Sequence, residues 1–136
     1  MWNLDDKEKY EKLFSFKIDK IYTWGDEKTA KQPDSEKKKN IRKEATKSGI
    51  NQVLENKNNK SYAFRISIYI KRGHKLDIDN TVKLIVDSFS HNSENPDCWL
   101  YEDDHYPNVK VIEVGAVKEV NSENDEKMCV EIFECL

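Results

Sequence analysis

The residues best suited to chemistry lie close together: Asp77-Ile78-Asp79-Asn80, then Lys83, then Asp87. On a helix a step of four residues advances ~40° around the axis, so Asp79, Lys83 and Asp87 share one face, a turn apart. Ile78 is apolar and is expected to point into the core, which would hold the flanking aspartates close together on the other side. A second acidic run, Glu102-Asp103-Asp104, could bring a third carboxylate from a distant part of the chain. Carboxylate oxygens are hard ligands that suit Mg²⁺, with Mn²⁺ as a substitute. Such an ion activates water near neutral pH and neutralises charge on a phosphate undergoing attack. A lysine ammonium beside the cluster would stabilise the same developing charge. Without a metal, close carboxylates repel and at least one pKa should rise. Each piece taken alone has an ordinary reading. An Asp at a helix start is usually a cap, Lys83 with Asp79 and Asp87 makes common surface pairs, and an acidic run is more often a turn. The combination is what points to phosphodiester hydrolysis.

The surrounding elements follow from hydrophobic periodicity. Residues 5–12 suggest a short polar helix, and Phe14, Phe16, Ile18, Tyr22 and Trp24 recur with the period of a half-buried strand. A polar connection from Gly25 to Asp34 leads to Ser35, a plausible N-cap, and a helix to about Asn56 that Gly49 could break. Tyr62, Phe64, Ile66, Ile68 and Ile70 alternate without a fault and predict a central strand, ended by a turn at Gly73. Helical spacing runs from Asp79 to about Phe89, with Ile78, Val82, Ile85, Val86 and Phe89 on one side. A loop at Asn92–Pro96 follows. Val109–Val120 predicts a long strand kinked at Gly115, Asn121–Glu126 a turn, and Met128–Phe133 a last strand. The alternation of strands and helices predicts one α/β (α+β) domain over residues 1–136, a small mixed sheet flanked by helices.

Net charge is −3, but it is segregated. Residues 28–72 carry thirteen Lys/Arg against four Asp/Glu, and residues 77–136 four Lys against fifteen Asp/Glu. A local field of this kind favours a polyanion despite the total. Lys37, Lys38, Lys39, Arg42, Lys43 and Lys47, with Lys71, Arg72 and Lys75 near the acids, are the candidate phosphate contacts, which would bind DNA without reading bases. The plain alternative is a solvated lysine-rich helix. The three cysteines, Cys98, Cys129 and Cys135, form no C-x-x-C pair and have no zinc-site spacing, so reduced, buried thiols are expected. His74, His91 and His105 read as lone histidines, His105 on the surface rather than at a metal-bound water, Trp99 as core and Trp24 as open between packing and base stacking. Met1–Phe16 lacks the apolar run of a signal peptide, and no stretch has the ~18 apolar residues of a membrane span, so a cytoplasmic location without a membrane partner is expected.

The series Asp77-Ile78-Asp79-Asn80, Lys83, Asp87, Trp99, Asp103-Asp104 and a strand from about Val109 resembles the RusA family of Holliday junction resolvases. The likeness spans about residues 62–118. It implies a mixed α/β homodimer that makes paired nicks in branched DNA with Mg²⁺. It also implies that Asp77, Asp79 and Asp104 hold the metal and that Lys83 assists catalysis. Asn80, Asp87 and Asp103 would support them, Asn80 by fixing the loop and Asp87 by buttressing Lys83. Two other functions are compatible with the chain. One is a nuclease of relaxed specificity, as in a defence system; the other is a non-catalytic DNA- or protein-binding module on the same fold.

Overall fold

The computed structural model describes residues 3–23, 33–48, 60–91, 99–102 and 104–136. Among these, the chain order is β1 (Tyr10–Ile18), α1 (Asp34–Lys47), β2 (Ser61–Lys71), α2 (Ile78–Asp87), β3 (Val109–Val120), a 3-10 turn (Glu123–Asp125) and β4 (Lys127–Cys135). The strands form one mixed sheet in the order β1-β4-β2-β3. β4 is antiparallel to both β1 and β2, whereas β2 and β3 are parallel and joined through α2. This is the α+β domain expected, with β2 inside the sheet.

Alternation decides which side of β2 is covered. Tyr62, Phe64, Ile66, Ile68 and Ile70 are buried and share one cluster with Ile41 and Ala45 of α1 and Leu84, Ile85 and Val86 of α2. Both helices therefore pack on the same face of the sheet. Phe89 sits at the centre, with ring centroids 6.0 Å from Phe16 and 6.2 Å from Phe64. On the opposite face the described residues form a small cap, where Leu4 covers Ala63 and Phe133. Next to it lies a cavity of about 560 Å³, lined in part by Leu4, Tyr10, Phe133 and Leu136.

Several boundaries differ from those expected. Residues 4–9 form turns rather than a helix, and β1 begins at Tyr10. A register shift between Lys12 and Phe14 explains this, because it interrupts the alternation that would have revealed the start of the strand. β1 stops at Ile18, so Tyr22 is not part of it. Pro33, not Ser35, is the N-cap of α1, consistent with the preference of proline for the edge of a helix. The expected extension of α1 towards Asn56 lies from residue 49 onward outside the described residues, as do the loop at 92–96, Trp24 and Cys98. β3 matches its expected limits, and its pairing with β2 slips between Val114 and Ala116, at the expected kink. No helix among the described residues is long and apolar enough to cross a membrane.

Candidate active site

The loop from β2 to α2 carries the first acidic pair. Gly73 turns it with φ 84°, a value that a residue with a Cβ rarely adopts. Glu126 then fastens the loop to the start of β4. Its Oε2 accepts the Lys71 backbone N–H at 2.8 Å and lies 2.8 Å from Nδ1 of His74. Burial pushes the Glu126 carboxyl up, but the hydrogen bonds from His74 and Lys71, together with their charges, outweigh it and leave the pKa lowered. His74 is thus a partner of Glu126 rather than a lone histidine, while its ring stays half exposed.

Asp77 occupies the N-cap position of α2 with an extended backbone, yet its side chain caps no backbone N–H. Its Oδ2 instead accepts from Nδ2 of Asn80 at 3.1 Å, a bond that orients the carboxylate. Asp79 lies in the first turn, where the helix dipole favours negative charge. Both aspartates and Lys83 are exposed. Neither aspartate enters an ion pair among the described residues. Ile78 departs from expectation. It is 38 % exposed, because Leu84, Ile85 and Val86 supply the buried stripe of α2 and the first turn projects past the core.

The second acidic group sits elsewhere. α2 runs back along the sheet, and its ten residues separate the ends by ~15 Å. At its far end Tyr101 is buried and donates its hydroxyl to the Val86 carbonyl. Burial pushes the Tyr101 phenol well above its usual pKa, and the charges of Asp104 and Asp87 add to that. Leu100 and Tyr101 are hydrogen-bonded to Phe89 and His91, so Asp104 follows a segment anchored just past the C-terminal end of the helix, whereas Asp77 and Asp79 mark its start. Among the described residues no group of three or more His, Cys, Asp or Glu is placed to hold one metal ion, so the three-aspartate set of Asp77, Asp79 and Asp104 is not assembled. Asp103 lies outside the described residues. Mg²⁺ commonly takes only one or two carboxylates and keeps its waters, and the exposed pair Asp77 and Asp79 has the donor chemistry for that.

The basic residues divide as well. Lys37 is fully buried, with Nζ 2.8 Å from the Thr23 carbonyl and 3.2 Å from Asp34 Oδ1. Lys38 is 7 % exposed and bonds Oδ2 of Asp87 at 3.0 Å. Arg42 donates to the Ser88 carbonyl at 3.1 Å, at the C-terminal end of α2. These three join α1 to its neighbours, and the burial of Lys37 and Lys38 keeps their ammonium groups from a phosphate, which corrects the assignment of those two as DNA contacts. The reason is positional. Lys37 and Lys38 fall four and three residues before Ile41, and Ala45 four after it, so the lysines share the buried stripe. Their aliphatic stems pack while the ammonium groups find oxygen partners. That spacing was the available signal. Lys39, Lys43, Lys71, Arg72 and Lys75 are exposed, and Arg72 pairs with Glu119 at 3.0 Å. The structure also joins Asp87 to Lys38, a long-range pairing that local spacing did not reveal.

His91 and Trp99 stack with centroids 4.4 Å apart, and His91 Nδ1 lies 3.1 Å from Glu102 Oε2. Trp99 is accordingly half-buried rather than core. Cys129 and Cys135 are free thiols, also half-buried. Comparison of the chain with family models, curated proteins and solved structures returns no match.

Proposed function

We propose that the chain is a Mg²⁺-dependent endodeoxyribonuclease of the RusA type, acting in the cytoplasm as a homodimer on Holliday junctions or other branched DNA. The observation that carries this reading is the state of Asp77. It stands where an aspartate normally caps a helix, but its carboxylate is turned to Asn80 and caps nothing. The ordinary structural explanation for the residue is thereby weakened. Asp77 and Asp79 would hold the ion, which would supply an activated water and neutralise phosphate charge. Lys83, exposed one turn further along α2, would face the phosphate from the same helix and offset its growing charge. Asn80 orients Asp77, and Glu126 with Gly73 fixes the loop that carries the pair.

A second reading has a specific observation in its favour. The segment that leads to Asp104 is hydrogen-bonded to the residues just after α2, away from Asp77, and Lys38 and Arg42 serve packing, which suits a binding module that does no chemistry. Incubation with a labelled four-way junction and with linear duplex, in Mg²⁺ and in EDTA, separates the two. Symmetric Mg²⁺-dependent nicks in the junction that vanish in Asp79→Asn support the nuclease. Equal cutting of duplex points to relaxed specificity, and binding without cutting in Mg²⁺ or Mn²⁺ rejects catalysis.

A further inference from the structure

The sheet face opposite the helices is graded in character from one end to the other. Beyond the apolar cap comes a row in which Arg65 is compensated by Asp5, Glu113 and Glu131 at 3.2–3.5 Å. The next row holds the small side chains of Ser67 and Cys129, with Lys17 beside them on β1. Then comes Tyr69, paired with Lys127 on one side and Lys118 on the other. Their ammonium groups lie 4.7 Å and 5.8 Å from the Tyr69 ring centroid. Lys71 follows on the same face two residues on.

The charge on this end is not neutralised as it is around Arg65. Among the described residues Lys71, Lys118 and Lys127 form no ion pair with a carboxylate, and Lys17 has only a 3.6 Å contact with the exposed Asp19. Glu126, whose charge Lys71 feels, is buried and already engaged with His74 and the Lys71 backbone. One half-exposed aromatic ring is thus surrounded by several uncompensated ammonium groups on an open sheet.

We propose that this face binds single-stranded nucleic acid, with a base stacked on Tyr69 and the flanking phosphates held by Lys71, Lys118 and Lys127. The aromatic ring offers a flat surface to any base, and the lysines are spaced around it to neutralise phosphates on either side. A simple polyanion would use the lysines but not the ring. An acidic protein surface would likewise be insensitive to the π-face of Tyr69. The lysines already resting on the ring show that it attracts cations, and a base would displace one of them towards a phosphate. This surface uses neither Asp77 nor Asp79 and does not depend on the nuclease reading.

The test is fluorescence anisotropy with a labelled oligo(dT) of about 15 nucleotides, the upper end of a small-domain site, at several salt concentrations in EDTA. Wild type is expected to bind with a negative slope of log affinity against log salt. Changing Lys118→Gln and Lys127→Gln together should reduce that slope by about 1.4, two contacts at ~0.7 each for a single strand. Tyr69→Ala should weaken binding about tenfold, and Tyr69→Phe should restore it. Circular dichroism verifies folding, and the two lysine changes on the open face keep the test decisive if Tyr69→Ala unfolds. The proposal is overturned by an absence of saturable binding, or by lysine variants that bind as wild type. Tighter binding of duplex than of oligo(dT), or Tyr69→Ala matching wild type while heparin competes equally, also overturns it. Failure here leaves the cleavage reading standing, because the assay excludes Mg²⁺.

Discussion

Lys38 and Asp87 meet across the α1–α2 contact at 3.0 Å, with side chains 8 % and 21 % exposed. Lys38→Met keeps most of the packed stem and removes the ammonium. Breaking a fully buried ion pair from one side costs about 3–5 kcal/mol, because the remaining charge is stranded. Water reaches about a fifth of the Asp87 side chain, so part of that cost is recovered, and a loss of about 2 kcal/mol is expected. For a chain of 136 residues this corresponds to a fall in Tm of about 8 °C. Both residues make other contacts as well, so single changes overstate the pair. A double-mutant cycle with Asp87→Leu isolates it, and urea unfolding followed by far-ultraviolet circular dichroism should give a coupling of about 1–2 kcal/mol. A coupling below about 0.3 kcal/mol would refute the idea that this pair fastens α1 to α2. If Lys38→Met instead left stability unchanged and weakened DNA binding, the lysine would be a phosphate contact after all.

Phe89→Ala should destabilise the protein by about 3–5 kcal/mol, since the ring is fully buried between Phe16 and Phe64, and equilibrium denaturation reads this directly. Glu126 makes stability depend on acid. Its folded pKa is lowered, so its contribution is full above the unfolded carboxylate pKa and is lost as pH falls through the folded value. Glu126→Gln should therefore flatten the decline of stability on the acid side, measured by urea midpoints over a pH series, and an unchanged acid slope would contradict the assignment.

The parts of the fold that were legible in sequence are those where one periodicity acts alone. β2 alternates cleanly, β3 is a long run rich in β-branched residues, and α2 has a strong apolar stripe, so their positions followed from residue type. β1 was shortened at its start and overextended at its end, because its register shift breaks the alternation and Tyr22 continues it beyond the last ladder bond. In the candidate site, local spacing gave Asp77, Asp79 and Lys83 one neighbourhood, and Asn80 proved to bond Asp77. It could not give the end of α2 to which Asp104 returns, since that depends on the direction of the crossover between parallel strands. Nor did net charge reveal that Lys37 and Lys38 face inward. Charge predicts exposure for most lysines, but here stem packing and nearby carbonyl and carboxylate oxygens reverse it.

The strand order has a consequence for how the protein comes into being on the ribosome. β4 is the last of the described strands, yet it lies between β1 and β2 and pairs with both. Until it emerges, β1 has no strand beside it and β2 can pair only with β3, so the buried side chains of Phe14, Phe16 and Ile18 lack their sheet. Synthesis must therefore pass β4 before the two halves of the sheet can close over a common interior. Contacts so distant in sequence slow folding and prolong the exposure of strand edges. The nascent protein depends on β4 to become a single sheet, and without β4 the facing edges of β1 and β2 would stay open to neighbouring chains.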